Sequence, residues 1–366
     1  MTTILRLGKQ QRRQAYIFAL LMTAWCFMAG TAAAQTRYYV TPTGLVPTGM
    51  DNAWTDVIKL ETALEKAEPG DEIWVQGFEE VSKKTDVYLA PKEGWMLKAG
   101  VKLYGGFKGN ETSLEQRATL GKAYNFACRS ILSGEISMND TIDHVNLISS
   151  SNALRTDNAE HVLTMNLDNS ASDNKNETVS VLDGFTIVGG HASENGGGVL
   201  VKGHREFSCA YRIERCFFFN NYAVQSGGAI YVDTYAGKLT ANESYINQCV
   251  VYNNEAGLIA EVANKGGGIY IAGKGTVVNT SIFNNENGGV RISPDASVLN
   301  STIARNTVAG VDLTDNSGKN ENAKVVNTVV WGNTTLFSEF TPGFRNSSYH
   351  ELSLIHISEP TRLGMI

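Results

Sequence analysis

The chain has 366 residues and a formal net charge of −6, and 42% of its residues are hydrophobic. No cluster of basic residues remains after the first 34 residues, which excludes the electrostatic footprint of a nucleic-acid-binding protein. Beyond those residues no apolar stretch is long enough to span a membrane as a helix. The sequence therefore predicts neither a nucleic-acid partner nor a transmembrane segment in the mature part.

Residues 1–34 have the organisation of a secretory signal peptide. Several basic residues precede an apolar run over residues 15–29, and three alanines at 32–34 offer a small-residue cleavage site. We expect the mature protein to begin near Gln35 and to be secreted. An uncleaved membrane anchor is the alternative, although the run is short for a span.

Residues 35–110 are expected to form an N-terminal cap and the first coils of the fold. Apolar residues at helical spacing predict one amphipathic helix over residues 53–67, ended by Pro69 and Gly70. Such a helix can cover the open end of the first coil, whose unpaired strand edge would otherwise recruit other chains.

Residues 111–333 carry a repeated phrase, in which an apolar stretch ending in Asn-Asn is followed by a Gly-Gly pair that opens a second apolar stretch. The clearest copies read RCFFFNN then GGAIYV, CVVYNN then GGGIYI, and TSIFNN then GGVRI. Asn285 and Asn306 hold the same place in their copies and lie 21 residues apart. A unit of about twenty residues with short strands and no helix is typical of one turn of a β-solenoid, whereas WD40 blades are longer and ankyrin units need helices.

In the strand after the glycines, alternate positions are aliphatic, which predicts that they face inward. These pairs are Val199/Val201, Ile230/Val232, Ile269/Ile271, Val290/Ile292 and Val311/Leu313. If coils stack about 4.8 Å apart, each inward residue lies on its counterpart in the next coil. The sequence thus predicts an all-β fold, a single parallel β-helix with an N-terminal capping helix.

The asparagines that end the first apolar stretch are interpreted as structural turn residues. They are Asn221, Asn254, Asn285, Asn306 and Asn333. Gly and Asn best tolerate the left-handed backbone conformation of sharp turns, and stacked Asn side chains can form a hydrogen-bonded ladder.

Cys216 and Cys249 also share one repeat position and should face the core. Buried free thiols are favoured over a disulfide, because in-register parallel neighbours point their side chains the same way.

Aromatic residues form two columns that should point outward. The first comprises Phe219, Tyr252, Phe283 and Trp331, and the second comprises Tyr231 and Tyr270. A row of exposed rings can stack on sugars or dock a partner, which makes these residues the candidate binding site. The alternative is that loops over residues 235–245 and 255–265 cover the rings, so that they serve packing alone.

The C-x-F-x-N-N…G-G-A-I-Y pattern resembles the repeat of polymorphic outer-membrane proteins and related right-handed parallel β-helix proteins of pectin-lyase-like fold. Segments nearer the N-terminus, such as VKLYGGFKGNET and LDGFTIVGG, resemble the opening coils of bacterial surface members. The resemblance implies a right-handed β-helix (β-solenoid) at the extracellular or outer-membrane surface of a Gram-negative bacterium. It leaves activity open, because the family includes lyases, hydrolases and adhesins.

Polysaccharide lyases of this fold, by resemblance, use acidic side chains that hold calcium and an Arg or Lys base. The outward-facing residues that could take such roles are Lys202, Asp233, Arg291, Asp295 and Asp312, with His191 and His204 in nearby loops. The pattern lacks a second acidic residue beside Asp233, and Arg291 with Asp312 is interpreted as an ordinary surface ion pair. Hydrolysis of glycosides needs two carboxylates at a defined separation, and the sequence offers no such pair.

We therefore assign no catalytic residue, metal site or cofactor from the sequence, with calcium expected only under the lyase alternative. The sequence favours a secreted or cell-surface protein that binds a polysaccharide or a cell-surface partner, as an adhesin does. A polysaccharide lyase or glycoside hydrolase and a passive structural stalk are the alternatives.

Residues 334–351 are expected to be a tail, and residues 352–366 resemble something other than natural protein. The stretch LSLIHISEPTR resembles the translation of a transposase-end adapter used in preparing sequencing libraries. We accordingly expect the natural gene product to continue past this point with a different C-terminal part.

Overall fold

The computed structural model describes residues 35–46, 54–81, 86–122, 125–137, 156–168, 170, 179–204, 209–234, 244–257, 266–313 and 323–337. The signal peptide and the adapter-like segment predicted from the sequence lie outside the described residues, as does most of the tail. Those assignments stay predictions.

Within the described residues, parallel strands build three long sheets and one short sheet. Sheet A has ten strands, in spatial order Val57–Ile58, Arg37–Val40, Glu72–Gln76, Lys102–Phe107, Val179–Asp183, Ala210–Glu214, Tyr245–Asn247, Gly275–Val278, Ala296–Leu299 and Lys324–Val326. Sheet B has eight: Tyr88–Leu89, Ser130–Ser133, Phe185–Val188, Phe217–Phe219, Val250–Tyr252, Ser281–Phe283, Thr302–Ala304 and Val329–Trp331. Sheet C has eight: Trp95–Leu97, Leu163–Asn166, Val199–Lys202, Ile230–Asp233, Ile269–Ala272, Val290–Ile292, Ala309–Asp312 and Thr335–Phe337. The short sheet D has three: His191–Ala192, Tyr222–Ala223 and Glu255–Ala256.

The chain visits sheets A, B and C in turn and then returns to sheet A. Ala210–Glu214 of sheet A is followed by Phe217–Phe219 of sheet B and Ile230–Asp233 of sheet C, before Tyr245–Asn247 returns to sheet A. Each strand pairs in parallel with its counterpart one circuit later. This winding is the topology of a parallel β-helix, and the fold class predicted from the repeats is confirmed.

The core is built from columns of aligned aliphatic residues. On sheet C, Ile230 pairs with Ile269, Ile269 with Val290 and Val290 with Val311, and all four are fully buried. Because the side chains of a strand alternate between two faces, one aliphatic residue at every second position is enough to line the tube. Burial of each such side chain contributes about 1.5–3 kcal/mol to the stability of the fold. The repeat adds this contribution again in every coil.

The predicted N-terminal helix is present but begins later than expected. It spans Leu60–Lys66, and Leu60, Ala63 and Leu64 are buried in the main core. The prediction of a helix from residue 53 was wrong, since Val57–Ile58 is the edge strand of sheet A and pairs with Tyr39 and Val40. Two β-branched residues beside an open strand edge favour pairing over a helical turn. A short 3₁₀ helix at Leu114–Gln116 follows further along the chain.

From Gly184 onward, two corners of each coil, and in most of these coils a third, turn through a residue with left-handed backbone. Between sheets A and B it is Gly184, Arg215, Gln248, Asn279, Asn300 or Asn327; after sheet B it is Gly189, Asn220, Asn253, Asn284, Arg305 or Gly332; before sheet C it is Gly196, Gly227, Gly266, Asn287 or Val308. In each Asn-Asn pair the left-handed residue is therefore the first asparagine, one position before the column interpreted as turn residues. The second asparagine of each pair contributes through its side chain instead.

The second asparagines form a ladder of side-chain amides inside the turn. In Asn221, Asn254, Asn285 and Asn306, Nδ2 donates to Oδ1 of the next member at 2.9–3.0 Å, ending at Asn333. Each amide also donates to a main-chain carbonyl one coil earlier, for example Asn254 to Phe218 at 3.0 Å. Each Oδ1 after the first accepts the backbone N–H of the preceding member. The ladder thus satisfies buried polar groups that the turn would otherwise leave unpaired.

A second polar column lies at the turn between sheets A and B, where Cys216 and Cys249 are buried free thiols. Their Sγ atoms donate to the carbonyl oxygens of Glu214 and Asn247, two residues earlier, at 3.1 and 3.4 Å. The next coils place hydroxyl donors at the same position, in Thr280, Ser301 and Thr328. Burial raises the pKa of the Cys216 thiol well above its usual value. The position requires a small donor, which a thiol supplies.

Candidate functional site

The first aromatic column lies on the outer face of sheet B. Phe219, Tyr252 and Phe283 are in register on neighbouring strands. Their rings stack, with centroids 5.1 and 5.3 Å apart and interplanar angles of 21° and 7°. Phe218, which precedes Phe219, is fully buried in the main core on the opposite side of the sheet. These three rings, named the aromatic ridge, are therefore additional to the columns that line the tube.

One end of the aromatic ridge is covered and the other is open. Phe219 is buried in a small outer cluster with Val81, Val87 and Val188. Tyr252 and Phe283 are partly exposed, although burial still raises the pKa of the Tyr252 phenol. Packing accounts for Phe219, whereas Tyr252 presents its edge to solvent because both of its faces lie against neighbouring rings. The loops expected to cover the ridge fall mostly outside the described residues.

Beyond Phe283 the column continues with Ala304 and then Trp331. Ala304 stays partly exposed between two ring-bearing positions, and Trp331 is partly exposed as well. Arg305 is exposed, and its guanidinium carbon lies 5.4 Å from the ring centroid of Trp331. Phe283 and Trp331 therefore flank a gap of two strand spacings with Ala304 at its base. This gap is named the slot.

The second aromatic column lies on the outer face of sheet C. Tyr231 and Tyr270 are in register, with ring centroids 5.2 Å apart and an edge-on angle of 86°. Arg291 follows in the next coil, with its guanidinium carbon 5.0 Å from the Tyr270 centroid. Both tyrosines are partly exposed. Sheet C thus offers a comparable aromatic surface with a different ring arrangement.

The interpretation of Arg291 and Asp312 as an ordinary surface ion pair was wrong. Nε of Arg291 lies 3.5 Å from Oδ2 of Asp312, but their side chains are only 11% and 2% exposed. Alternation fixes the side of the strand from which a side chain leaves, not the depth to which neighbours cover it. A buried pair of this kind is a structural element, because breaking it leaves an uncompensated charge.

The residues considered for a lyase do not converge on a metal site in the described residues. Lys202 and Asp233 are register partners on sheet C, and both are exposed. Asp295 is exposed, while His191 and His204 are partly exposed. Across the described ranges, no group of three or more His, Cys, Asp or Glu side chains is arranged to hold a metal ion.

The sequence reasoning missed a buried charge cluster on the outer face of sheet A. Asp183 is fully buried and accepts hydrogen bonds from Arg117 Nη2 at 2.9 Å and from Arg215 Nε at 2.8 Å. Arg117 also lies with its guanidinium carbon 4.5 Å from the Phe126 ring centroid. Burial lowers the pKa of the Arg117 guanidinium, while Asp183 opposes that shift. The cluster fixes the segment that carries Arg117 to the sheet; an isolated arginine 66 residues before its partner gave no signal.

A shallow groove of about 540 Å³ runs over the later coils of sheet A. It is lined by Ser244, Tyr245, Asn247, Thr276, Val278, Asn279 and Leu299. Asn279 Nδ2 donates to Asn247 Oδ1 at 3.1 Å, so part of its polar wall is already paired. Burial, helped by Glu214, raises the pKa of Tyr245 to about 12. The groove therefore presents a neutral phenol between paired amides and apolar side chains.

No family model matches this chain, and no curated protein matches it. Among solved structures, one described as the crystal structure of pectate lyase Pel9A is similar, with 11% sequence identity and a TM-score of 0.45. The similarity covers 82% of this chain and 64% of that chain, so this chain spans less than two thirds of that structure. A likeness at this level does not extend to activity or substrate.

None of the helices among the described residues is long and apolar enough to cross a membrane.

Proposed function

We propose that this protein is a secreted or cell-surface β-helix that binds a carbohydrate or a cell-surface partner through the outer face of sheet B. The observation that supports this most is the position of the aromatic ridge. Phe218, Val251 and Ile282 already fill the tube, so Tyr252 and Phe283 are not needed to close it. Aromatic rings on the outside of a sheet, partly open to water, are the residues that carry binding energy in many interfaces.

The stacking of the rings limits which parts of the aromatic ridge a ligand can contact. Since each ring of the ridge stacks on its neighbours, Tyr252 presents its edge and its hydroxyl group rather than its ring face. A ligand that lies along the open end of the ridge therefore contacts a strip made of the edge and hydroxyl group of Tyr252 and the apolar ring of Phe283. Extended polymers that alternate apolar and hydroxyl-bearing surfaces, such as polysaccharides, suit that strip.

Secretion to a bacterial surface belongs to the same proposal. It is supported by the predicted signal peptide at residues 1–34 and by the resemblance of the repeats to those of surface β-helix proteins. The ligand face and the expected location are consistent with each other.

The test is a panel of soluble and immobilised polysaccharides probed with the wild-type chain and with the double variant Tyr252→Ala/Phe283→Ala. We expect the double variant to lose binding by about tenfold or more, which corresponds to ~1.4 kcal/mol. The matched control is Tyr231→Ala/Tyr270→Ala on sheet C, which removes two aromatic rings from the other face and should leave binding unchanged. Circular dichroism melts establish that both variants are folded.

Binding that survives in the sheet B double variant would overturn this assignment of the ligand face, and wild-type inertness across the panel would overturn the binding function. Calcium-dependent release of unsaturated oligosaccharides from the same panel would instead favour the lyase alternative. These three outcomes are read from the same samples, by binding signal and by ultraviolet absorbance of the supernatant.

A further inference from the structure

Among the strands from Phe217–Phe219 to Val329–Trp331, a single one interrupts the aromatic column of sheet B. Every other strand of this set carries a ring at that position, but Thr302–Ala304 carries Ala304. Adjacent parallel strands lie about 4.8 Å apart, so Phe283 and Trp331 are separated by roughly 9.5 Å. The slot is therefore a gap in an otherwise regular stack of rings.

The width of the slot matches a flat guest. A ring held at a contact distance of about 3.5–4.0 Å from an aromatic surface on each side needs roughly 7–8 Å, and a puckered ring needs slightly more. The partial exposure of Ala304 indicates that the flanking side chains have not closed over it. Phe283 offers the ring face that does not lie against Tyr252. In contrast to Tyr252, Phe283 can thus meet a guest face to face, whereas the guanidinium of Arg305 lies over the Trp331 ring.

Arg305 gives the slot a charge. It follows Ala304, is exposed, and lies with its guanidinium carbon 5.4 Å from the Trp331 ring centroid. Its backbone is in the left-handed conformation, with φ of 55°, at a corner where the three preceding coils have Asn. Arginine donates paired hydrogen bonds to carboxylate or sulfate groups. The guest favoured by this set of groups has an apolar face that stacks on Phe283 and an anionic substituent within reach of Arg305.

We infer that the slot between Phe283 and Trp331 is a subsite for one pyranose ring of an acidic polysaccharide, with its anionic group bound by Arg305. A pyranose has two faces rich in C–H groups, which stack on aromatic rings, and its substituents project from the edge. The inference rests on the proposed function and deepens it, since it names the ligand class and the residues that select it. A carboxylate and a sulfate share the chemistry that Arg305 recognises, and the probes below separate them.

The fluorescence of Trp331 can report directly whether a ligand enters the slot. Trp54, Trp74 and Trp95 are buried, with exposed fractions of 1%, 0% and 3%, whereas Trp331 is partly exposed. A sugar ring that enters the slot should therefore shift the emission of Trp331 to shorter wavelength. The probes are cellotetraose, which is neutral, a hyaluronan tetrasaccharide, which carries carboxylates, and a chondroitin 6-sulfate tetrasaccharide, which adds sulfates.

The decisive variant is Ala304→Phe, which places a ring in the slot at the natural strand spacing. We expect it to fold, because it continues the stack, and to lose binding of the acidic probes by about tenfold or more. Arg305→Gln should weaken the acidic probes by about tenfold while leaving cellotetraose unchanged. Trp331→Phe should lose the fluorescence shift and weaken binding measured by calorimetry; the control is Tyr231→Ala/Tyr270→Ala on sheet C, which should retain both.

Several outcomes would overturn the inference. If Ala304→Phe binds the acidic probes as the wild type does, the slot is not the subsite, even if Tyr252→Ala/Phe283→Ala abolishes binding and the proposed function stands. Should Ala304→Phe fail to fold, an unchanged preference of Arg305→Gln for acidic probes would equally exclude the slot as the subsite. A wild type that binds no probe overturns the inference, and inertness across the wider panel overturns the proposed function with it. A wild type that binds only aromatic peptides would make the slot a protein-docking site instead.

Discussion

Asn254 donates a 3.0 Å hydrogen bond from its side-chain amide to Oδ1 of Asn285, one coil further along the helix. The same amide donates to the carbonyl oxygens of Phe218 and Tyr252 at 3.0 and 2.9 Å. A single side chain thus joins three successive coils at one turn. Because Asn254 is fully buried, water cannot replace these bonds if the amide is removed.

We expect Asn254→Ala to lower the free energy of unfolding by about 2–3 kcal/mol, since it leaves buried donors and acceptors unpaired. Asn253→Gly is the matched control in the same Asn-Asn pair. Asn253 has a φ of 53° and supplies backbone conformation, so glycine there should be neutral or slightly stabilising. Urea denaturation measures both; equal losses in the two variants would contradict the division of roles between the paired asparagines.

Val308 is the residue of the third corner that fits its conformation least well. Its φ is 67°, where the equivalent residues of earlier coils are Gly196, Gly227 and Gly266, and left-handed backbone is costly for a β-branched residue. We expect Val308→Gly to stabilise the protein by roughly 1 kcal/mol. Val308→Ala keeps the strained conformation and should not give this gain. A lower thermal midpoint for Val308→Gly than for the wild type would show that the valine side chain contributes more than the strain costs.

Interactions that recur in every coil could be predicted from the sequence, whereas interactions that occur once could not. The inward columns, such as Ile230 with Ile269, recur at every coil, so a period in the sequence reports them directly. The left-handed role of Asn253 against the ladder role of Asn254 was not separable, because both residues are asparagine in most copies. Asp183 and its arginine partners occur once, and a single long-range contact leaves no periodic trace. The helix start was misplaced because pairing of Val57–Ile58 with an open strand edge is a tertiary effect.

Asp183 should be far more sensitive to substitution than the exposed acidic residues. Asp183→Asn removes the charge that holds Arg117 and Arg215 while keeping the shape of the side chain, and breaking a buried pair in this way typically costs about 3–5 kcal/mol. The control is Glu79→Gln, whose partner Lys108 is 63% exposed. That change should cost little stability, because both side chains of the pair are exposed to water. Similar losses for the two variants in chemical denaturation would contradict the structural role of the cluster.

Cys249 should be replaceable by the residue type that later coils use. Thr280 donates from Oγ1 to the carbonyl oxygen of Val278 at 2.9 Å, in the same relation that Cys249 has to Asn247. We expect Cys249→Thr to change the free energy of unfolding by less than about 1 kcal/mol. Cys249→Val has the shape of threonine without a donor, and it should be about 1 kcal/mol less stable than Cys249→Thr. Indistinguishable stabilities for the two variants would mean that volume alone, not the hydrogen bond, determines what this column accepts.

His161 should make the stability of the protein depend on pH below neutrality. Its Nδ1 lies 2.8 Å from the carbonyl oxygen of Gly196, so Nδ1 carries the proton and donates. Burial lowers the pKa of His161 below its ordinary value of 6.5, so the unfolded chain takes up a proton more readily than the folded one. The contribution of neutral His161 is therefore complete above pH 6.5 and declines as the pH falls towards the pKa of the folded state. Denaturation at about pH 7.0, 6.0 and 5.5 should show a smaller decline for His161→Gln than for the wild type, and parallel declines would show that the ring is charged at little cost in the folded protein.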